Sequence, residues 1–368
     1  MELPVKWSWK IARIAGIDVR LHVTFVILIA WIALVYWQLF GTLDAVLSSV
    51  SFILALFGCV LLHELGHALT ARKFDIRTSN ITLLPIGGVA QVEKMPADPW
   101  KEILIALAGP AVSMAIALFL WVLLGATSGL VPFQDLSVTG GSFLQRLMII
   151  NFLLAMFNLL PALPMDGGRV FRALLSLKME PASATRIAAG LAQVLAILLA
   201  FLGLRYNLFL VFIAIFIWFG AVAEASMANL KSALSGISAR SAMLTDFQVI
   251  EADSPLSHAV ELTLSGSQKH FPVMAGSRIA GVLTQSDLLR GLHDHGKSCP
   301  VEQVMQREVQ TADVSDGMEI AMEKLQLQGS GLLIITENDK LAGIIDVDNI
   351  LELLKFQKAL REHDEQQW

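Results

Sequence analysis

FILALFGCVLLHELGHALTA, residues 52–71, is an apolar run interrupted by a single His-Glu-x-x-His group. A helix that crosses a bilayer needs about 20 apolar residues, so this run predicts a membrane helix. On that helix His63 and His67 are four positions apart and project from one face, where both imidazoles can reach a single Zn²⁺. Glu64 would lie beside the metal, where a carboxylate can act as a general base.

The same motif occurs by chance in soluble helices, where two histidines and a glutamate simply lie on a solvated face. The apolar setting argues against that alternative. An ionisable group near the centre of a bilayer costs roughly 2.5–3.5 kcal/mol, so such groups are kept there for a function. We therefore interpret His63 and His67 as metal ligands.

Composition supports a membrane protein. The chain has 368 residues, of which 55% are hydrophobic and 16% charged, and its mean hydropathy is +0.63, whereas soluble domains contain about 25% charged residues. The net charge of −5 and the lack of a basic cluster interleaved with aromatics argue against a nucleic-acid partner. Two cysteines, Cys59 and Cys299, cannot build a disulfide framework or a Cys-rich metal site. The first apolar run is too long for a cleaved signal peptide.

Apolar runs of membrane-spanning length all lie before about residue 228. We predict about six membrane segments, at residues 22–40, 48–71, 103–125, 145–165, 187–204 and 207–227. Lys and Arg side chains concentrate in the loops that follow the second and fourth segments, and by the positive-inside rule these loops, the N-terminus and the C-terminal domain are cytoplasmic. Arg146 and Arg205 are exceptions at the outer ends.

A tetrahedral zinc site with a catalytic water needs a third protein ligand. His22 is the only other histidine before the soluble part, and we interpret it as an interfacial residue. Asp166, in LLPALPMDGGRV (residues 159–170), follows the fourth segment at the end expected to lie near His67. An aspartate before two glycines is also an ordinary turn residue. Pro161 and Pro164 favour the ligand interpretation, because broken backbone at membrane depth is tolerated where it lines a wet cavity.

HELGH together with NLLPALPMDGG resembles the site-2 proteases, a family of intramembrane zinc metalloproteases, over residues 20–228. The resemblance implies one zinc held by His63, His67 and Asp166, with Glu64 as general base. It also implies that Asn158 positions substrate or stabilises the oxyanion, although this side chain can equally tie down the broken helix.

The stretch ITLLPIGGVAQVEK, residues 81–94, looks like the membrane-associated hairpin of that family. Gly87 and Gly88 would permit close backbone approach there, and an exposed edge could hold a substrate as an added strand. The alternative is a plain cytoplasmic loop. Gly109 and Pro110 in the third segment also fit the family, and a packing kink explains them as well.

The C-terminal part contains an internal repeat, in which GVLTQSDLLRGL from Gly281 aligns with GIIDVDNILELL from Gly343. Met243 and Met305 repeat at the same offset. We predict HFPVMA and RIAGVLT as strands and SDLLRGL as the helix that follows. The fold class is therefore an α-helical polytopic membrane domain followed by an α/β module.

This module resembles a tandem pair of CBS domains, a family that commonly binds adenine nucleotides such as ATP or AMP. Thr284 and Asp287 match the positions that contact phosphate and ribose. The second repeat has Asp346 and Asn349 there, and because Asp346 would repel phosphate, we expect at most one nucleotide site. The alternative is a pair that only dimerises or packs on the membrane domain. The expected domains are residues 1–228, a connector at 229–237, the two repeats at 238–296 and 297–357, and a tail at 358–368.

The resemblance implies an endopeptidase that cleaves transmembrane protein substrates, namely membrane-tethered regulators, anti-sigma factors or signal-peptide remnants. A homodimer through the CBS domains is a further expectation. Two alternatives belong to other classes. A CBS-regulated transporter or channel would spread ionisable residues over several segments, whereas here they concentrate at two motifs. A pseudo-protease that binds without cutting is disfavoured by the intact Glu64.

Overall fold

The computed structural model describes residues 7–85, 87–92, 98–128, 141–266, 268–328, 331–338 and 340–365. The chain forms two compact units, Met1–Asn229 and Leu230–Trp368. The first unit is mostly helical and the second alternates helices with short strands. The predicted fold class is confirmed.

Six apolar helices coincide with the six predicted membrane segments. They are α1 Val23–Phe40, α2 Leu43–Arg72, α3 Pro99–Ser128, α4 Phe143–Asn158, α6 Pro181–Tyr206 and α7 Phe209–Leu234. Five of these are long and apolar enough to cross a membrane, and the 16-residue α4 is shorter. Large apolar side chains such as Trp31, Phe119 and Phe201 are exposed on the helices, as expected for surfaces that face lipid.

The fourth segment, predicted at 145–165, ends earlier than expected. Helix α4 stops at Asn158, an irregular turn covers residues 159–165, and a separate helix α5 (Asp166–Ser176) begins there. Pro161 and Pro164 account for the break, because a proline cannot donate the backbone hydrogen bond that would continue the helix.

A four-stranded sheet packs against α2, with strand order β1 (Ser8–Ile14), β2 (Ile17–His22), β3 (Thr78–Leu84) and β4 (Gly87–Val92). Strands β3 and β4 are antiparallel, so the hairpin interpretation of this stretch is correct and the plain-loop alternative is wrong. Ile17 and Ile81 on the sheet share a buried cluster with Leu65 and Ala68 of α2. The sheet therefore lies on the turns of α2 that carry HELGH.

The N-terminal hairpin β1–β2 was not predicted. Its two-residue turn consists of Ala15 and Gly16, both at positive φ, as hairpin turns of this length require. His22, interpreted above as an interfacial residue, is the N-cap of α1 and accepts a hydrogen bond from the backbone amide of Thr24.

The second unit contains two three-stranded sheets with the same local order of elements. The first repeat comprises β5 (Ile250–Glu251), α9 (Leu256–Ser265), β6 (His270–Ala275), β7 (Arg278–Thr284) and α10 (Gln285–His295). The second comprises β8 (Thr311–Asp313), α11 (Met318–Gln328), β9 (Leu332–Glu337), β10 (Lys340–Asp346) and α12 (Val347–Glu365). A short helix α8 (Ala239–Ala242) precedes both. The predicted strands and the predicted helix after RIAGVLT are confirmed.

The segment that precedes each repeat packs in the core of the other repeat, so the two repeats exchange these leading segments. Leu234 and Ala239, which precede the first repeat, are buried in the core of the second. Cys299 and Val301, which precede the second repeat, are buried in the core of the first. The repeated methionines follow the same rule, because Met305 packs on Gly281 and Met243 packs on Gly343. The repeats are thus interlocked in one unit.

Candidate metal and catalytic site

Three side chains from two distant parts of the sequence meet at one point. His63 Nε2, His67 Nε2 and Asp166 Oδ2 form a triangle in which each pair of atoms is 3.2 Å apart. Four ligands at about 2.0–2.1 Å in a tetrahedron around zinc are separated from one another by about 3.3 Å. The triangle therefore has the size of one face of a tetrahedral zinc site.

Residues of helix α3 contact the Nδ1 atom of each histidine ring. His67 Nδ1 donates to the carbonyl oxygen of Ile105 at 2.7 Å, and His63 Nδ1 is paired with the hydroxyl of Ser113 at 2.9 Å. A carbonyl oxygen can only accept, so His67 carries its proton on Nδ1 and leaves the Nε2 lone pair free. Metal-binding histidines are commonly oriented in this way by a second partner.

Glycine at position 109 lets α3 approach the histidines closely. A β-carbon there would lie 2.6 Å from His63 Nε2 and closer still to His67 Nε2. Ile105, Gly109 and Ser113 are spaced four apart, so they form one stripe along α3. Gly109 was expected as a family match or as a packing kink, and Ser113 was not predicted as part of the site. A small or polar residue at every fourth position of an apolar helix was the available signal.

The turn at 159–165 brings Asp166 to the histidines. Asp166 is the first residue of α5 and is 8% exposed, and Met165 precedes it as N-cap. The two glycines that follow pack directly on the turn, Gly167 against the backbone of Leu159 and Gly168 against that of Ala162. A side chain at either glycine would collide with this backbone, so the Asp-Gly-Gly sequence lets α5 start inside the turn.

Ion pairs fix α5 to its neighbours. Arg172 of α5 donates to Glu102 at the start of α3, and its guanidinium also lies 3.9 Å from Glu224 of α7. Arg169 lies 4.0 Å from the same glutamate. The helix that carries Asp166 is therefore tied to the helix that orients both histidines.

The side chain of Glu64 contacts the sheet. The backbone of Gly88, on the edge strand β4, lies against its side chain. Glu64 makes no hydrogen bond or ion pair within the described part of the chain, so its carboxylate is available. The preceding residue, Gly87, has a φ of +136°, and a β-carbon there would meet no other atom within 4 Å.

Asn158 is the last residue of α4 and is half-buried. Its side-chain amide makes no hydrogen bond to any residue that the structure describes. The proposal that Asn158 ties down the broken helix therefore has no supporting contact, and its role at the site stays a prediction.

Thr284 and Asp287 in the second unit are buried and bonded to each other. The Thr284 hydroxyl donates to Asp287 Oδ2 at 2.6 Å and accepts from the Asp287 backbone amide at 3.1 Å. Gln306 donates to the same carboxylate oxygen at 2.8 Å. In the second repeat Asp346 Oδ1 accepts the equivalent bond from the Asn349 backbone amide at 2.8 Å, and Asn349 Oδ1 accepts from the Asp346 backbone amide at 3.2 Å. Both pairs cap helices, and nucleotide contact by Thr284 and Asp287 stays a prediction.

Comparison with known proteins identifies both units. The model of peptidase family M50 matches residues 51–140 and 134–202, and the CBS-domain model matches residues 239–294 and 301–355. The zinc metalloprotease MJ0392 of Methanocaldococcus jannaschii is 30% identical over 97% of this chain and 99% of its own length. Stage IV sporulation protein FB of Bacillus subtilis is 32% identical over 37% of this chain and 44% of its own.

Among solved structures, the site-2 protease from Methanocaldococcus jannaschii matches at 35% identity and a TM-score of 0.45. The match covers 60% of this chain and 95% of that protein. The full-length similarity to a zinc metalloprotease and the two family matches agree with each other. This chain is an integral membrane protein that belongs to peptidase family M50, the site-2 proteases, and carries a tandem pair of CBS domains.

Proposed function

We propose that this protein is an intramembrane zinc endopeptidase that cleaves peptide bonds within or near transmembrane segments of protein substrates. The observation that carries the proposal is the 3.2 Å triangle of His63 Nε2, His67 Nε2 and Asp166 Oδ2 on an apolar helix. The chemistry of these atoms suits zinc, because two neutral imidazoles and one carboxylate leave the fourth tetrahedral position open.

Zinc held there would lower the pKa of a bound water and polarise the substrate carbonyl. Glu64 is one position from His63 and its carboxylate is unpaired, so it is the group that would accept the proton of the attacking water. The same carboxylate would then pass that proton to the leaving amine. Helix α3 contributes by fixing the tautomer of His67, so that only the Nε2 lone pair points inward.

Strand β4 would bind the substrate backbone. It is an edge of the described sheet, and its Gly88 lies against Glu64. A peptide bond in a helix is shielded, so a substrate must become extended before cleavage, and strand addition to an exposed edge achieves this. We propose that Gly87 and Gly88 receive the substrate and hold its scissile bond beside Glu64.

The orientation follows from the distribution of charge. Glu102, Arg172 and Glu224 lie at the end of the membrane unit where α3 begins, close to the candidate metal site. With the Lys and Arg excess of the adjoining loops, this end is cytoplasmic under the positive-inside rule. The N-terminus and the CBS pair would then also be cytoplasmic. Substrates would be membrane-tethered regulators, anti-sigma factors or signal-peptide remnants.

Regulation by an adenine nucleotide at the CBS pair is the second part of the proposal. Thr284 and Asp287 supply a hydroxyl and a carboxylate at the start of α10, suited to phosphate and ribose. Both are engaged with each other, so binding would require them to exchange partners. Calorimetry on the full-length protein with ATP and with AMP tests this, and Asp287→Ala is expected to weaken binding. If neither ATP nor AMP gave a heat of binding, the proposal of nucleotide regulation would be wrong.

The decisive experiment compares Glu64→Gln with wild type in the purified, reconstituted protein. The amide is nearly isosteric with the carboxylate but cannot take a proton, so we expect full zinc content and no cleavage of a reporter transmembrane peptide. His63→Ala should instead lose zinc. Normal cleavage by Glu64→Gln would refute the proposed mechanism, and zinc-free wild-type protein that still cleaves would refute the metal assignment.

A further inference from the structure

Helices α1, α2 and α4 line an open cavity of about 250 Å³ at the end of the membrane unit where α1 ends and α2 begins. Tyr36, Ser48, Phe52 and Arg146 contribute to its wall, and the remaining lining is mostly apolar. Ser48 precedes His63 by 15 positions on α2, which corresponds to about 22 Å at 1.5 Å per residue. The cavity is therefore separate from the candidate metal site.

Arg146 brings an uncompensated positive charge to this cavity. Its guanidinium carbon lies 4.9 Å from the centre of the Phe52 ring, and Nε is buried without a hydrogen-bond partner. No carboxylate within the described ranges forms an ion pair with it, and no acidic residue lines the cavity. The charge also lies in the first turn of α4, the positive end of the helix dipole, where a cation is disfavoured.

A guanidinium that has no carboxylate partner among the described residues, in a largely apolar wall, favours the binding of an anion. The planar fork of arginine matches the geometry of a phosphate, and such bonds are among the strongest in proteins. The hydroxyls of Tyr36 and Ser48 line the same space and can donate to the same oxygens. Pockets for whole small molecules usually measure about 300–1,000 Å³, so this smaller cavity suits a headgroup with its hydrocarbon part outside.

The residues near the cavity indicate that the phosphate belongs to a lipid. Trp37, next to Tyr36 near the C-terminal end of α1, is 53% exposed, on a helix long and apolar enough to cross a membrane. Tryptophan is enriched where membrane proteins meet lipid headgroups. We propose that the cavity binds the headgroup phosphate of an anionic phospholipid, with Arg146 as its principal ligand. A zwitterionic lipid binds less well, because none of the described residues that line the cavity is acidic and could receive its ammonium.

Native mass spectrometry of the full-length protein, released from vesicles of equal parts dioleoylphosphatidylglycerol and dioleoylphosphatidylcholine, tests the proposal. Wild type should retain the phosphatidylglycerol in preference, and Arg146→Gln should lose about tenfold or more of that preference, as expected for a charged hydrogen bond. Arg146→Lys should keep a reduced preference. Ala45→Phe, which fills the cavity without changing charge, should lose retention even if Arg146→Gln folds poorly.

Arg205→Gln is the matched control, since Arg205 also lies beside an aromatic ring, 5.2 Å from the centre of Tyr206, but does not line the cavity. It should behave as wild type. Equal lipid preference in wild type and Arg146→Gln would overturn the proposal, as would an equal loss in Arg205→Gln. Displacement of the lipid by millimolar inorganic phosphate would show a site for free phosphate instead, and retention only of an acidic substrate peptide would show a peptide site.

Discussion

Gly88 on the edge strand β4 and Glu64 on α2 are in direct contact, so close that a β-carbon on Gly88 would lie 2.5 Å from Cγ of Glu64 and 3.2 Å from its Oε1. Real β-carbons do not approach other atoms to that distance. The strand edge and the candidate general base therefore share one space, and any side chain at position 88 must displace the carboxylate.

Replacing Gly88 by alanine should move Glu64 away from its position beside His63. Because general-base catalysis contributes about 10²–10⁴-fold and depends on geometry, we expect cleavage of a reporter peptide to fall by at least about tenfold. Zinc content should stay at the wild-type level, since Gly88 does not contact the metal triangle. Cleavage rates and metal analysis on the same preparation measure both quantities.

Gly58→Ala is the control for this substitution. Gly58 lies on α2, and a β-carbon there would meet nothing within 4 Å. Alanine is favoured over glycine in a helix by about 1 kcal/mol, so this variant should cleave normally and be as stable as wild type or slightly more. Wild-type cleavage by Gly88→Ala would contradict the contact between the strand and Glu64.

Ser113→Ala should weaken zinc binding. Loss of the 2.9 Å contact with His63 Nδ1 leaves that ring without its second partner, and outer-shell changes of this kind cost about 10–100-fold in metal affinity. Competition with a zinc chelator measures the affinity. Ser51→Ala on the exposed face of α2 is the control. Equal affinity in wild type and Ser113→Ala would show that Ser113 does not orient His63.

Much of the geometry of the candidate site could be predicted from local sequence patterns. His63, Glu64 and His67 fall on one helical turn, and Pro161 and Pro164 predict a broken backbone just before Asp166. These signals depend only on residues near one another in the chain. The structure brings the three expected ligand atoms together, which is the relationship the patterns predicted.

The parts that the sequence did not reveal depend on long-range packing. Ser113 and Ile105 reach the histidines only because Gly109 lets α3 approach α2, and no local rule predicts which helix lies behind a site. The hairpin β1–β2 was also not predicted, because the alternation of polar and apolar residues in β1 is interrupted at Ile11 and Ala12, where the pairing with β2 shifts register. The exchange of leading segments between the repeats also has no local signature.

Arg172→Gln should destabilise the membrane unit and lower its zinc content together. The side chains of Arg172 and Glu102 are only 18% and 13% exposed, so removing one partner leaves a mostly buried charge, at a cost on the order of 3 kcal/mol. Thermal unfolding in detergent and metal analysis measure the two effects.

Arg186→Gln is the control for this substitution. It removes an exposed arginine that forms no ion pair in the described part of the chain, and it should leave the stability and the zinc content unchanged. If Arg172→Gln lost stability but kept full zinc affinity, the ion pair would support the fold without holding α5 and Asp166 in place.

His270 should make the stability of the CBS pair depend on pH. Burial lowers the pKa of His270, and neighbouring charges alter it to a smaller extent. These charges are Asp346, Lys269, Asp348 and Asp287. Nδ1 is buried without a hydrogen-bond partner, so protonation in the folded state gains no compensating bond.

A histidine whose pKa is lower in the folded than in the unfolded state takes up its proton preferentially on unfolding. The free energy of unfolding is therefore unaffected above the unfolded pKa of about 6.5 and decreases as the pH falls below it. Amide hydrogen exchange of residues 271–284 in the full-length protein, corrected for the intrinsic pH dependence, should show protection falling between pH 7 and pH 5. His270→Gln should remove this decrease, whereas His258→Gln, on the exposed face of α9, should retain it. If protection in His270→Gln still fell as in wild type, another group would be responsible.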